Sequence, residues 1–200
     1  MQTNIIDAEN SPPRGGNRFS GWLGRSLLKL SAWKIEGELP KLRKFVITVA
    51  PHTSNWDFFL GVAVLFALRI KINFLGKHSI FIPVFKPLLE WIGGIPVDRR
   101  TKHGVVGQIV KRFEQQDKMI LAIAPEGTRK IIYPWKTGFL SIAYQAKVPV
   151  VMIAFDFARK AVIIGPTLET TANAEQDMRR VYDFYATVTA KYPSKVKYHE

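Results

Sequence analysis

The chain has 200 residues, with 29 Lys and Arg against 16 Asp and Glu, a formal net charge of +13 and 47% hydrophobic residues. That length and apolar content suffice for a buried core without disulfides or a structural metal, and they disfavour intrinsic disorder of the chain. Cysteine is absent, which excludes disulfide bonds, thiolate zinc sites, iron–sulfur clusters and a Cys nucleophile.

Residues 1–18 are polar and rich in Pro, Gly and Asn, and they lack the apolar core of a signal peptide. They read as a flexible arm, and 19–200 reads as one domain. Over 19–35, Phe19, Trp22, Leu23, Leu27, Leu30 and Trp33 recur mostly every three or four residues, with Arg25, Lys29 and Lys34 between them. This predicts an amphipathic N-terminal helix, either lying in a membrane interface or packed on the domain with its cations in water. No apolar run approaches the ~20 residues of a bilayer span. The longest, 58–68, is short, and 80–97 is broken by Pro83, Lys86, Pro87, Glu90 and the Gly93-Gly94 pair. The second of these reads as a partly exposed, lipid-contacting element, so a monotopic protein stays open.

Strand and helix signals then alternate. The run FVITVA at 45–50 predicts a strand buried on both faces, and Thr53, Ser54 and Asn55 offer N-caps to a helix reaching 68. Strands are expected at 71–75, 95–98, 119–124, 149–155 and 161–164, and helices at 83–92, 105–115 and 138–146. Met178, Val181, Tyr185, Val188 and Tyr192 form one face of a last helix that Pro193 should stop. The fold class is α/β: a single domain with a mixed, mostly parallel sheet flanked by helices.

Polar clusters follow several of these strands, and strand ends are where α/β sheets build sites. The first is 51–57, with His52 and Asp57. Five residues apart, the two cannot share a face of a regular helix. They meet if His52 precedes the helix and Asp57 stands in its first turn, leaving one imidazole nitrogen free as a general base. The alternative is a capping Asp and an unrelated surface His. The second cluster is 93–100, ending in Asp98, Arg99 and Arg100. The third is 125–130, where Gly127 permits close backbone approach, Thr128 donates a hydroxyl and Arg129 offers a bidentate grip on phosphate. A base together with cations and donors on one sheet edge suits transfer of a group onto a phosphate-bearing alcohol.

Other chemistries fail on residue type. The chain has no G-x-S-x-G elbow, no phosphate loop of the G-x-x-x-x-G-K-[ST] kind and no G-x-G-x-x-G turn. It has no H-E-x-x-H or Cys/His metal set, and His78, His103 and His199 stand alone. No zinc-finger or RNP-type signature accompanies the charge.

At these residues the chain resembles the glycerolipid acyltransferases, the family typified by 1-acyl-sn-glycerol-3-phosphate acyltransferase. The family's H-x-x-x-x-D block stands at His52 to Asp57, and its G-x-I-x-[IV]-x-R block matches Gly93 to Arg99. Its E-G-T-R block is intact at Glu126, Gly127, Thr128 and Arg129, and its V-P-[IV]-[IV] strand matches Val148 to Val151. The core motifs thus span 45–155. The resemblance implies that His52 deprotonates an acceptor hydroxyl with Asp57 fixing its tautomer. It implies substrate binding by Lys77, Arg99, Glu126, Gly127, Thr128 and Arg129, the cations holding the acceptor's phosphate. It further implies no cofactor and no metal, with acyl-CoA or acyl-carrier protein as co-substrate and acyl thioester donor. The acceptor would be a lysophospholipid, most simply 1-acyl-glycerol-3-phosphate giving phosphatidic acid. Acylation of another lysolipid or of glycerol 3-phosphate is the alternative, and a non-catalytic basic module binding membrane or nucleic acid is a third reading. A lipid acceptor implies a peripheral or monotopic protein on an anionic membrane surface, at a cytoplasmic face, without nucleic acid as a partner.

Overall fold

The computed structural model describes residues 10–77, 81–84, 86–97 and 104–199, the side chains of 77, 88 and 97 excepted. Asp98, Arg99 and Arg100, and with them His78 and His103, lie outside the described residues. In chain order the elements are α1 (Arg18–Leu30), β1 (Lys34–Glu36), β2 (Lys44–Ala50), α2 (Trp56–Leu68), β3 (Asn73–Lys77), α3 (Lys86–Trp91) and β4 (Gly94–Val97). There follow α4 (Gly104–Gln115), β5 (Met119–Ile123), α5 (Gly138–Ala146), β6 (Val150–Asp156), β7 (Ala161–Leu168), α6 (Ala174–Tyr185) and a 3-10 turn at Pro193–Lys195.

The strands form one sheet in the order β1-β7-β6-β2-β5-β3-β4. β2 pairs in parallel with both β5 and β6, and β5, β3 and β4 continue in parallel, while β7 runs antiparallel to β6. The β-branched central strands suit this double burial. Alternate residues of β2 serve opposite cores: Phe45 and Ile47 pack with Leu28, Ala63 and Val64, and Val46 and Ala50 pack with Phe113, Phe139 and Val181. Helices α1 and α2 therefore cover one face of the sheet, and α4, α5 and α6 the other.

Helix α1 begins where Asn17 and Ser20 cap each other reciprocally, each backbone N–H donating to the other's side-chain oxygen at 2.9 Å. It ends at Leu30, five residues before the expected boundary. Ser31 donates its hydroxyl to Leu27 O at 2.7 Å, Ala32 turns with φ +59°, and 34–36 joins the sheet edge beside β7. The tertiary pairing of Lys34 N–H with Lys160 O and the edge-on packing of Trp33 on Phe157 override the helical period there. The last helix likewise stops at Tyr185, well before Pro193. The Thr187 hydroxyl donates to Phe184 O at 2.7 Å, and Thr189 O accepts from Phe157 N–H at 2.8 Å, which draws the chain to the end of β6. Of the expected arm, the described part is tied down: Gly15 N–H donates to Arg69 O and Lys71 N–H to Pro13 O.

Candidate active site

Four neighbouring parallel strands end at one edge of the sheet, and the candidate site residues singled out above stand in the sequence at or just beyond those ends. β2 runs into His52, β5 into Glu126, β3 ends at Lys77, and β4 ends two residues before Arg99. Lys77 stands opposite Val97 in the β3–β4 register. The position of Arg99 itself is outside the described residues.

His52 sits on the turn between β2 and α2. Its Nδ1 lies 3.1 Å from Asp57 Oδ2, with 22% of the His52 side chain and 1% of the Asp57 side chain exposed. The same Asp57 oxygen accepts from Ser54 N–H at 2.9 Å. Asp57 thus folds back from the first turn of α2 onto the loop that precedes it, and Nδ1–H donation to Asp57 leaves Nε2 as the free nitrogen. The helix start is organised by Ser54, whose hydroxyl oxygen accepts from Trp56 N–H at 3.1 Å; Asn55 occupies the N-cap position without a side-chain hydrogen bond. Thr53 is buried, and its hydroxyl oxygen accepts from Tyr192 N–H at 3.3 Å, which ties the C-terminal segment to the His52 loop.

Glu126 is buried, and both carboxylate oxygens accept from the His52 backbone N–H, at 2.8 and 3.1 Å. The sequence motif assigns this residue to substrate binding; in the fold its carboxylate faces inward and braces the His52 loop. Burial pushes the Glu126 carboxyl up to about 7, against the lowering pull of the His52 amide. Behind it, the fully buried Tyr185 hydroxyl lies 2.8 Å from both the carbonyl and the hydroxyl oxygen of Thr48. Burial raises the Tyr185 and Tyr198 hydroxyls well above the usual phenol range, and the Glu126 charge adds to both shifts.

Gly127 is exposed in the left-handed region with φ +62°, which favours glycine. Thr128 is half-buried and its hydroxyl oxygen accepts from Lys130 N–H at 3.2 Å; the Arg129 side chain is exposed. The structure therefore brings His52, Asp57 and the 126–129 segment together. It also adds Lys136, which sequence reasoning passed over. A Cβ on Gly127 would stand 2.9 Å from Lys136 Nζ. The sequence signal was the glycine itself, since an obligatory glycine marks either a turn or a close neighbour.

Among the described residues no cluster of His, Cys, Asp and Glu could hold a metal ion. The arrangement offers a carboxylate-oriented imidazole with one open nitrogen, beside exposed donors and cations. That is the equipment for taking a proton from a hydroxyl next to an anionic group.

Comparisons with known proteins converge on the same segment. Residues 33–156, which contain His52, Asp57 and the 126–129 motif, match the acyltransferase family. A 1-acyl-sn-glycerol-3-phosphate acyltransferase of Cocos nucifera is 30% identical over 146 residues, covering 69% of this chain and 46% of that protein. The chain thus spans less than half the length of that relative. The crystal structure of the 1-acyl-sn-glycerophosphate acyltransferase PlsC from Thermotoga maritima superposes with a TM-score of 0.58 at 16% identity, over 85% of this chain and 76% of that one. That likeness concerns the fold. The match over 33–156 carries the conclusion: this chain belongs to the acyltransferase family.

Proposed function

We propose that the protein is an O-acyltransferase that moves a fatty acyl group from a thioester, acyl-CoA or acyl-carrier protein, to the free hydroxyl of 1-acyl-glycerol-3-phosphate. The carrying observation is the 3.1 Å contact of His52 Nδ1 with the buried Asp57, which leaves Nε2 open at a strand end. Nε2 takes the acceptor's hydroxyl proton as the oxygen forms its bond to the thioester carbon. The tetrahedral intermediate then collapses, the C–S bond breaks, and the imidazolium returns the proton to the departing sulfur. Asp57 holds the tautomer and stabilises the transient imidazolium. Lys77, Arg99 and Arg129, with Gly127 and Thr128, are assigned to the acceptor's phosphate and glycerol. Glu126 acts on His52 through the backbone rather than on substrate.

The acceptor named here is that of the Cocos nucifera and Thermotoga maritima enzymes. Helices α1 and α2 support work at a lipid surface, because they expose Phe19, Trp22, Leu30, Trp56, Phe58 and Phe59, the last three in the first turn of the helix that follows the His52 loop. No helix of the described residues is long and apolar enough to cross a membrane.

His52→Ala removes the base and should lower acyl transfer by at least ~100-fold without changing the circular dichroism spectrum. Thiol release from acyl-CoA and acyl-carrier protein, with a panel of lysolipids and glycerol 3-phosphate as acceptors, checks the reading and selects the substrates. Turnover retained in the variant refutes His52 as the base.

A further inference from the structure

We infer that Lys136 is a phosphate-binding residue of the acceptor site, delivered to it across the bare α-carbon of Gly127. The argument begins one residue earlier. Trp135 is buried, its backbone N–H donates to the Tyr182 hydroxyl at 2.8 Å, and its ring packs against Tyr182, Tyr185 and Tyr198 at centroid distances of 5.1, 5.6 and 5.6 Å. Lys136 N–H then donates to Pro125 O at 3.0 Å, which closes the loop that follows β5. The Lys136 backbone is thereby fixed by the core on one side and by the start of the 125–130 segment on the other.

From that anchor the side chain lies over the motif. A Cβ at Gly127 would meet Lys136 Nζ at 2.9 Å and its Cδ and Cε at 3.4 Å. Glycine at 127 therefore does two things: it adopts a backbone with φ +62° and it leaves room for the lysine stem. Gly127 adjoins Glu126, whose carboxylate holds the His52 amide, so the amine rests on the same short piece of chain that braces the base. Arg129, two residues on, is exposed on that same piece.

The Lys136 amine has no carboxylate partner among the described residues. Lys34 and Lys86 do, with Glu36 at 2.7 Å and Glu90 at 3.9 Å. The nearby Glu126 carboxylate does not serve it, since both its oxygens are turned to His52 N–H. Lys136 is exposed, but with its backbone fixed and its stem lying along Gly127 part of its ordering cost is already paid before a ligand arrives. Its fitting ligand is a phosphomonoester, which carries close to two negative charges at neutral pH. The inference rests on the acyltransferase reading only for the identity of the phosphate bearer.

The test uses Lys136→Met, which keeps the stem and removes the charge, and Lys136→Arg, which keeps the charge. Calorimetric binding of a short-chain lysophosphatidic acid and of the matching monoacylglycerol needs no turnover. Lys136→Met should weaken lysophosphatidic acid binding about tenfold, leave monoacylglycerol binding and the melting temperature unchanged, and be largely rescued by Lys136→Arg. In turnover the acceptor KM should rise with the donor KM constant. Unchanged lysophosphatidic acid affinity, equal losses for both acceptors, or a change confined to the donor KM overturns the assignment. Absence of thiol release by the wild-type protein with every acceptor sinks the proposed function instead, and the binding comparison still decides Lys136.

Discussion

Glu126 carries a thermodynamic signature of its position. Its carboxyl titrates at about 7 in the fold against 4.5 for an unperturbed group. Between those values the native state holds a proton that the unfolded chain has released, so stability falls as pH rises through the window and is then level. A shift of that size corresponds to about 3 kcal/mol. Glu126→Gln retains an oxygen for His52 N–H and removes the titration. The variant should gain about 3 kcal/mol on the wild type between pH 4.5 and pH 8, read from urea unfolding at the two values. Parallel pH curves for the two proteins would show that burial does not govern this carboxyl. The groups facing it, His52, Asp57, Tyr185 and Tyr198, are common to both proteins. The His52–Asp57 contact was legible because five residues across one turn admit few geometries. The grip of Glu126 on His52 was not, because it depends on β5 lying beside β2, a long-range fact absent from either local segment.

Helices α1 and α2 meet through glycines rather than through their large side chains. A Cβ on Gly24 would stand 2.4 Å from Ala67 N and 2.6 Å from Ala63 O, and one on Gly21 would reach the Arg69 side chain. The helices are therefore antiparallel and nearly in backbone contact, and their aromatic residues are left outward. In an isolated helix Gly24→Ala would gain up to ~1 kcal/mol from propensity; here it should cost about 1–3 kcal/mol by forcing the pair apart. The sign of the change in denaturant midpoint decides between these. The alternation of strands and helices was readable along the chain, as were the boundaries of α5 at Gly138 and Ala146. Periodicity overran both amphipathic helices, at Leu30 and at Tyr185, because edge pairing of β1 and capture of Thr189 by Phe157 lie outside any local pattern. The reading of 19–35 also took its apolar stripe as a single buried or lipid-facing surface. The fold uses Gly21, Gly24 and Leu28 for the domain and leaves Phe19, Trp22, Leu27 and Leu30 exposed.

On the scale of the molecule, a net charge of +13 and an aromatic helix pair make complementary demands on a partner. Trp22, Phe58 and Phe59 each expose more than half their area, and burying such a side chain in lipid is worth about 1.5–3 kcal/mol. Replacing all three with Ser should reduce sedimentation with anionic vesicles by at least tenfold while the chain remains folded. Raising salt should weaken the wild-type protein on anionic vesicles more than on neutral ones. Equal vesicle binding by the triple variant would exclude these helices as the contact. The sheet order also bears on how the protein is made. β2 lies between β5 and β6, which leave the ribosome roughly 70 and 100 residues later at a pace of ~5–20 residues per second. For some seconds its β-branched run has neither neighbour, and an unpaired apolar strand is a template for aggregation. The nascent chain should therefore depend on chaperones most strongly while residues 51–118 are being synthesised, and His52 gains its brace only once the stretch after β5 has emerged.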